Sequence, residues 1–158
     1  MDKKDLKILA HLRNNSRETL TKISRVSGIP ISTIFDRMKD FEQMLRCRNT
    51  VLIDFSRMGF NARVKIVVKA ERESRDNVKN FLLKHPSINS VYKINNGYDF
   101  LFEGIFRNVK DLEEFLEELD QFSISSKQVY YVIEDLQRES FLTDAKIAEN
   151  MANQIWLG

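Results

Sequence analysis

The stretch LTKISRVSGIPISTIFDRMKDFE, residues 20–42, contains two short amphipathic helical patterns that meet at Gly28. The first pattern would bury Leu20 and Ile23, and Gly28 permits the positive φ that a sharp turn between helices often needs. Pro30 then opens the second helix, because its fixed φ suits a first helical turn. The spacing predicts a helix-turn-helix.

The second helix separates apolar and polar positions at spacings of three and four residues. The apolar positions, which we expect to be buried, are Ile31, Ile34, Met38, Phe41 and Leu45. The outward positions are Ser32, Thr33, Asp36, Arg37 and Lys39. Short polar groups at the start of such a helix can approach base edges, while basic groups reach phosphate. We therefore expect Ser32, Thr33 and Asp36 near bases of double-stranded DNA, and Arg37, Lys39 and Arg48 on phosphate.

A helical hairpin with a solvated outer face has the same spacing, and Arg37 could then pair with Asp40 on its own helix. The charge distribution favours DNA. Residues 1–49 hold eleven Lys or Arg against six Asp or Glu, a balance of +5, whereas the remainder has a balance of −3. We call residues 1–49 the head and the remainder the body. A basic head joined to a slightly acidic body fits a protein that binds phosphate through one domain only.

Length and composition exclude several classes. The 158 residues can form one medium or two small domains, and 42% hydrophobic residues can fill their cores. No apolar run approaches the ~20 residues that span a bilayer, and the charged start is unlike a signal peptide. We expect a cytoplasmic protein without a membrane partner. Cys47 is the single cysteine and His11 and His85 the only histidines, so we expect no metal site.

The second half of the chain alternates strand and helix patterns. A mixed segment, 46–56, predicts an extended linker strand that could form part of a wing. Strands are then expected from Val64, at 88–94, at 98–106 and at 127–134, with helices around Phe81 and at 110–122. Asn96-Gly97 predicts a tight hairpin turn. The order βαββαβ indicates an α+β, ferredoxin-like domain with both helices on one face of an antiparallel sheet.

The face of this sheet without helices would carry apolar side chains. Both sets of strand positions are substantially apolar: Phe100, Phe102 and Phe106 would fill one side of the sheet, and Leu101, Ile105, Val67 and either Tyr130 or Tyr131 the other. Apolar area left wet costs roughly 25 cal/mol per Å². We therefore expect a second copy to cover it, and a dimer would present two heads to half-sites about one helical turn apart.

Three segments of the sequence resemble one known family. They are residues 23–39 (ISRVSGIPISTIFDRMK), Asp5-Leu6-Lys7-Ile8-Leu9 before them and Asn96-Gly97-Tyr98-Asp99-Phe100 after them. The family is the leucine-responsive regulatory protein/AsnC family of transcription regulators, and the resemblance is in particular to its archaeal members. It implies a winged helix-turn-helix head and a ferredoxin-like (RAM/ACT-like) body that forms dimers, often octamers. It also implies control by a small-molecule effector, usually an amino acid, and would assign effector contact to Gly97, Tyr98 and Asp99.

The sequence leaves alternatives open at this hairpin and departs from the family pattern elsewhere. Asn96-Gly97 could serve turn geometry alone, with Asp99 capping a strand end. Met44 stands where members usually have a Gly before the wing, and the segment 125–128 stands where many have Thr residues that hold an amino-acid carboxylate. The effector could therefore be something other than a common amino acid.

The expected domains are a winged helix-turn-helix at 1–49, a linker strand at 50–62, the ferredoxin-like domain at 63–135 and a helical extension at 136–158. In the extension, Thr143 could cap a helix, with Leu142 and Ile147 as a hydrophobic staple and with an apolar stripe at Ile147, Met151 and Ile155. Trp156 could pack on its own dimer, on the linker or on another protein.

Two other functional classes fit parts of the pattern. Sirohaem-decarboxylase-type enzymes resemble the same family but carry His-rich motifs, for which His85 is the one candidate in the body. The chain could also be a protein-interaction module whose head no longer binds DNA. Because no nucleophile–base arrangement, Gly-rich phosphate loop or Cys cluster is present, we expect neither an enzyme nor a cofactor.

Overall fold

The computed structural model describes residues 1–152, which fold into two units between which the chain crosses twice. The head unit contains Met1–Val51 together with residues 136–152, and the sheet unit contains Leu52–Asp135. The carboxy-terminal extension is therefore part of the head unit, a placement that its own residue pattern does not reveal.

Three helices form the first part of the head unit: α1 (Lys3–Asn14), α2 (Leu20–Ser27) and α3 (Ile31–Met44). Helix α1 begins in a capping box, in which the Asp2 carboxylate accepts from the Asp5 N–H and the Asp5 carboxylate accepts from the Asp2 N–H, each at 2.8 Å. Helix α2 is capped by Gly28, whose φ of +72° is the left-handed conformation that the turn requires. The predicted helix-turn-helix is confirmed.

The head core is apolar and is formed by the inner faces of these helices, together with Ile29 in the turn and Ala148 in the carboxy-terminal extension. Its buried members are Leu6, Ile8, Leu9, Ala10, Ile23, Ile29, Ile34, Phe41 and Ala148. One expected member is wrong, because Ile31 is 46% exposed. Ile31 is the first residue of α3 and lies a turn before Ile34, so the inward stripe of the helix begins only at Ile34.

The predicted linker strand at 46–56 is also wrong. Residues 46–54 form no regular element, and Phe55–Met58 is a 3-10 turn. The Asp54 carboxylate accepts from the Ser56 N–H at 3.1 Å and from its hydroxyl at 2.6 Å, which favours a tight turn over extended backbone. Gly59, at φ +88°, ends the turn.

A further helix, α6 (Ala145–Asn150), packs on α1 within the head unit. Its cap is Asp144, which accepts from the N–H groups of Lys146 and Ile147, so the expected cap Thr143 is wrong by one residue. Ala148 points inward and is fully buried. Ile147 is 60% exposed and does not belong to an apolar stripe as expected. Ile155 and Trp156 lie outside the described residues.

Polar contacts also attach the extension to α1. The Arg13 guanidinium donates to the backbone carbonyls of Phe141 at 3.0 Å and Glu139 at 3.1 Å, and Lys7 forms an ion pair with Glu149 at 3.3 Å. The extension thus adds both apolar and polar contacts to the head unit.

The sheet unit has the predicted βαββαβ order. Its elements are β1 (Ala62–Ala70), α4 (Arg75–Lys84), β2 (Ile88–Lys93), β3 (Phe100–Phe106), α5 (Val109–Asp120) and β4 (Ile124–Tyr131). The strands form an antiparallel sheet in the order β2-β3-β1-β4. The core lies between sheet and helices, and it contains Phe100, Phe102 and Phe106, which share one side of the sheet as expected.

The hairpin turn of the sheet unit forms where it was predicted, whereas the last strand has different bounds. Between β2 and β3, Asn96 and Gly97 have φ values of +63° and +90°, as the predicted Asn-Gly turn requires. The last strand begins three residues earlier than predicted, because Ile124 pairs with Ala70 and packs on the core. It also ends three residues earlier than predicted, at Tyr131, which pairs with Val64.

The packing of α6 predicts a difference between two adjacent substitutions. Ala148→Glu places a carboxylate in a fully buried position and should destabilise the head unit by about 2 kcal/mol or more. Ile147→Glu introduces the same side chain at an exposed position and should change stability by no more than about 0.5 kcal/mol. Hydrogen exchange of the α1 amides measures both effects. Equal exchange rates in the two variants would contradict the packing of α6 on α1.

Candidate functional site

The outward face of α3 presents most of the residues expected to contact DNA. Ser32, Asp36 and Lys39 are exposed and share one face, because they are separated by one and two helical turns. Thr33 is partly buried at the edge of this face. Ile34 and Phe41 on the opposite face are buried in the head core and fix which side of α3 faces solvent.

Arg37, which was expected on phosphate, is ion-paired within the head unit. Its Nη2 lies 3.4 Å from an Asp2 carboxylate oxygen and its Nε lies 3.4 Å from Asp5 Oδ1. These partners belong to the capping box of α1, so the contact joins α3 to the start of α1. The Asp5 N–H, and to a lesser degree the Arg37 charge, hold the pKa of Asp2 below its usual value. Arg37 thus contacts α1, and the alternative partner Asp40 is not used in these contacts.

Arg48 does not lie on α3. It is exposed in the irregular segment that follows the helix. The structure therefore brings Ser32, Thr33, Asp36 and Lys39 together on one helix and leaves Arg48 on the chain leading to the sheet unit.

Phe35 is a residue of this face that sequence reasoning missed. It is 49% exposed, and the Lys39 ammonium lies 4.5 Å from the centroid of its ring. A cation over an aromatic face is attracted by the ring quadrupole. The spacing of four residues between Phe35 and Lys39 on an outward face was the available signal.

The hairpin residues expected at the effector site already have structural partners. The Asp99 carboxylate accepts from the Ala70 N–H at 3.0 Å, at the end of β1, and pairs with Arg75 Nε at 3.0 Å. Gly97 supplies the positive φ of the turn, and Tyr98 is partly buried beside it. Asp99 therefore caps the end of a strand, which is the role given above as the alternative to effector contact.

A pocket of about 460 Å³ lies elsewhere in the sheet unit, lined by side chains of α4 and by His85, Pro86 and Phe122. His85 Nδ1 accepts from the Ser87 N–H at 3.2 Å, and its ring packs against Phe81 and Phe115. Burial lowers the pKa of His85, and the nearby Glu118 carboxylate partly offsets this. His85 therefore makes the contacts of a structural residue that caps the end of α4.

The sheet face without helices carries a buried ion pair. Glu103, only 7% exposed, accepts from Arg63 Nε at 2.8 Å and also from the Asn89 amide. Arg63 reaches further to Asp135 at 2.6 Å. Burial raises the pKa of Glu103, but the hydrogen bonds from Asn89 and Arg63 more than offset it, so the pKa lies below its usual value.

Apolar and aromatic side chains surround this pair. The register places Tyr130 opposite Lys65, and therefore on the same face as Leu101 and Val67, which resolves the choice between Tyr130 and Tyr131. Tyr92, opposite Leu101, is exposed beside them.

Neither a metal cluster nor a membrane span is found among the described residues. In residues 1–152, no group of three or more His, Cys, Asp or Glu side chains is arranged to hold a metal ion. Over the same residues, no helix combines the length and apolar character needed to cross a membrane.

A basic helix-turn-helix head joined to an antiparallel α+β domain defines a class: DNA-binding transcription regulators that carry a second, ligand-binding domain. Comparison with known proteins agrees in both parts. Residues 1–44 match the winged helix-turn-helix DNA-binding family model, and residues 62–140 match the Lrp/AsnC ligand binding domain. The chain belongs to the Lrp/AsnC family of DNA-binding transcriptional regulators.

Individual relatives support this assignment. The chain is 30% identical over 118 residues to the HTH-type transcriptional regulator FL11 of Pyrococcus horikoshii, covering 74% of this chain and 78% of the relative. Two solved structures share the fold. The transcriptional regulator NMB0573 of Neisseria meningitidis, in complex with L-Met, has a TM-score of 0.79 at 21% identity, and E. coli AsnC has a TM-score of 0.76 at 17% identity. Both alignments cover 87% of this chain, with 93% and 95% of the respective partner chains.

The Arg63–Glu103 pair predicts a pH-dependent contribution to stability. A carboxyl group with a depressed folded-state pKa stabilises the fold above its unfolded-state pKa and loses that contribution as pH falls through the folded-state value. At pH 7, Glu103→Gln should therefore lower the free energy of unfolding by about 1.5–3 kcal/mol, the range for hydrogen bonds to charged groups. The difference from wild type should shrink as the pH falls below about 4.

Denaturant unfolding at fixed protein concentration and several pH values measures this difference. Glu113→Gln is the matched control, since Glu113 is exposed on α5. A Glu103→Gln deficit that stays constant from pH 7 to acid, or that equals the Glu113→Gln effect, would contradict the prediction.

Proposed function

We propose that the chain is a sequence-specific DNA-binding regulator that acts as a homodimer, with α3 of each head inserted into the major groove. One observation carries the proposal: the apolar face of α3 is buried in the head core, so that its polar face, which includes Lys39, is turned outward. Ser32, Thr33 and Asp36 would meet base edges, and Lys39 and Arg48 would meet phosphate.

Arg37 has a more restricted role in this proposal. Its side chain is about two-fifths exposed and contacts Asp2 and Asp5. A phosphate contact would have to share the guanidinium with these carboxylates. We assign Arg37 primarily to the position of α3 and only secondarily to DNA.

Dimerisation is supported by the sheet face without helices. Exposed Tyr92 and Tyr130, with partly buried Leu101 and Val67, form an apolar surface that costs roughly 25 cal/mol per Å² when wet. A second copy is the simplest cover, and two heads on a two-fold axis suit a two-fold symmetric operator. Assembly of dimers into an octamer is the larger form implied by the family.

For the effector we propose a small molecule bound near Gly97, Tyr98 and Asp99, with an amino acid as the first class to test. The L-Met complex of the related Neisseria meningitidis fold supports this class. The Asp99 carboxylate is already used by Ala70 and Arg75, so the backbone around Gly97 and the Tyr98 ring would provide the contacts. We further propose that the chain is not an enzyme, since the contacts of His85 are those of a helix end.

Selection of bound DNA from a random pool, repeated with and without a mixture of amino acids, tests this function. We expect enrichment of two-fold symmetric sites with half-sites about one helical turn apart, and a change in yield or sequence when the effector is present. An unchanged pool with no binding at low salt would favour the protein-interaction alternative, because a regulator should bind mixed DNA weakly even without its operator.

The proposed phosphate contact of Lys39 predicts a change in salt dependence. Lys39→Gln should reduce the slope of log K against log salt by about one for each phosphate that is no longer neutralised, hence by about two for a dimer, on all sequences. Lys79→Gln on α4 is the control with the same charge change in the sheet unit, and it should leave the slope unaltered. Binding titrations at several salt concentrations measure the slopes, and equal slopes in the two variants would contradict the contact.

A further inference from the structure

The outward face of α3 carries two apolar side chains that the head core does not use. Ile31 is 46% exposed and Phe35 is 49% exposed, whereas Ile34 and Phe41 of the same helix are buried. Large apolar groups on a solvated helix face are unfavourable in the free protein, so a bound partner that covers them would gain stability. The two residues are one helical turn apart and form a short apolar strip beside Ser32 and Asp36.

The strip ends at a cation. The Lys39 ammonium lies 4.5 Å from the centroid of the Phe35 ring, one turn further along the helix. This contact places positive charge against the ring, at the end of the strip away from Ile31. A partner that covers Phe35 must therefore tolerate or attract a cation at its edge.

Major-groove DNA meets both requirements. Each thymine presents a C5 methyl group, which is the apolar group on base edges in that groove, while phosphates flank the groove and attract ammonium groups. A protein partner would need an acidic rim around an apolar centre to fit the same surface. The basic balance of residues 1–49 favours DNA over such a partner.

We propose that Phe35, assisted by Ile31, contacts thymine methyl groups and selects thymine in each half-site. The proposal rests on the proposed insertion of α3 into the major groove and adds to it an apolar element of sequence readout. Ser32, Thr33 and Asp36 read hydrogen-bonding groups, whereas Phe35 reads a group that has none. Specificity at these positions then depends on the methyl and not on the hydrogen-bonding pattern of the A·T pair.

Replacement of thymine by deoxyuridine tests the contact, because it removes the methyl group and leaves base pairing intact. Each thymine of a selected duplex is replaced in turn, and wild-type affinity is measured by titration. We expect at least one position in each half-site to weaken wild-type binding about fourfold, the factor expected for losing one buried methyl group. In Phe35→Ala the same replacement should have no effect, which makes the two changes non-additive.

Phe141→Ala is the matched control, since Phe141 is an exposed phenylalanine of the head unit that lies outside α3. The Phe141→Ala variant should lose affinity for the uracil-substituted duplexes by the same factor as the wild-type protein. Wild-type binding that is insensitive to every replacement, or an equal loss in wild type and Phe35→Ala, would overturn methyl recognition while leaving DNA binding in place. Failure of the wild-type protein to bind any duplex would instead overturn the proposed function itself.

Discussion

The attachment of α3 to α1 determines what the head unit can present. Ile34 and Phe41 bury one side of α3 in the apolar core, and Arg37 reaches Asp2 and Asp5 at the start of α1. Because a helix is rigid, fixing its inner side fixes its outer side as well. The exposure of Ser32, Phe35, Asp36 and Lys39 follows from these contacts.

The same contacts change how a substitution at Arg37 should be interpreted. Removal of the guanidinium would leave Asp5, which is nearly buried, without its cationic partner. A loss of DNA binding in such a variant could then arise from a displaced α3 as well as from the absence of a phosphate contact. Lys39 separates these effects, because its ammonium lies over an exposed ring and outside the contact with α1.

The head unit also depends on residues from both ends of the chain. Ala148 on α6 is buried in the same core as Leu6 and Ile23, and the family model for the ligand-binding domain ends at residue 140. Helix α6 therefore lies beyond the part of the chain that the two family models cover. Its packing on α1 makes it an addition to the DNA-binding unit.

Local signals in the sequence were sufficient for much of this architecture. Gly28 and the Asn96-Gly97 pair specify turns through their own backbone preferences, and the βαββαβ order follows from hydrophobic periodicity. The errors at Ile31 and in the segment 46–56 depend on how these residues meet the rest of the fold, whereas the cap of α6 differs by a single residue, Asp144 in place of Thr143. Ile31 has the right spacing for burial but lies before the helix meets the core. The segment 46–56 has strand-forming residues, yet it forms no strand, and Asp54 starts a turn instead. On α3, the polar spacing identified Ser32, Asp36 and Lys39 as outward, because that depends only on the helical period.

The partners of Arg37 lie more than thirty residues away, in a capping box that spacing on α3 cannot reveal. Asp99 was similarly open to two interpretations until the register of β1 placed the Ala70 N–H beside it.

Photocrosslinking to a duplex that carries 5-bromodeoxyuridine in place of thymine tests most directly whether α3 occupies the major groove. The bromine replaces the methyl group on the base edge, so the crosslink reports which segment of the protein touches it. Mass spectrometry after trypsin digestion should identify the peptide VSGIPISTIFDR, residues 26–37, as the principal crosslinked product. Crosslinks confined to residues 52–135 would contradict the account.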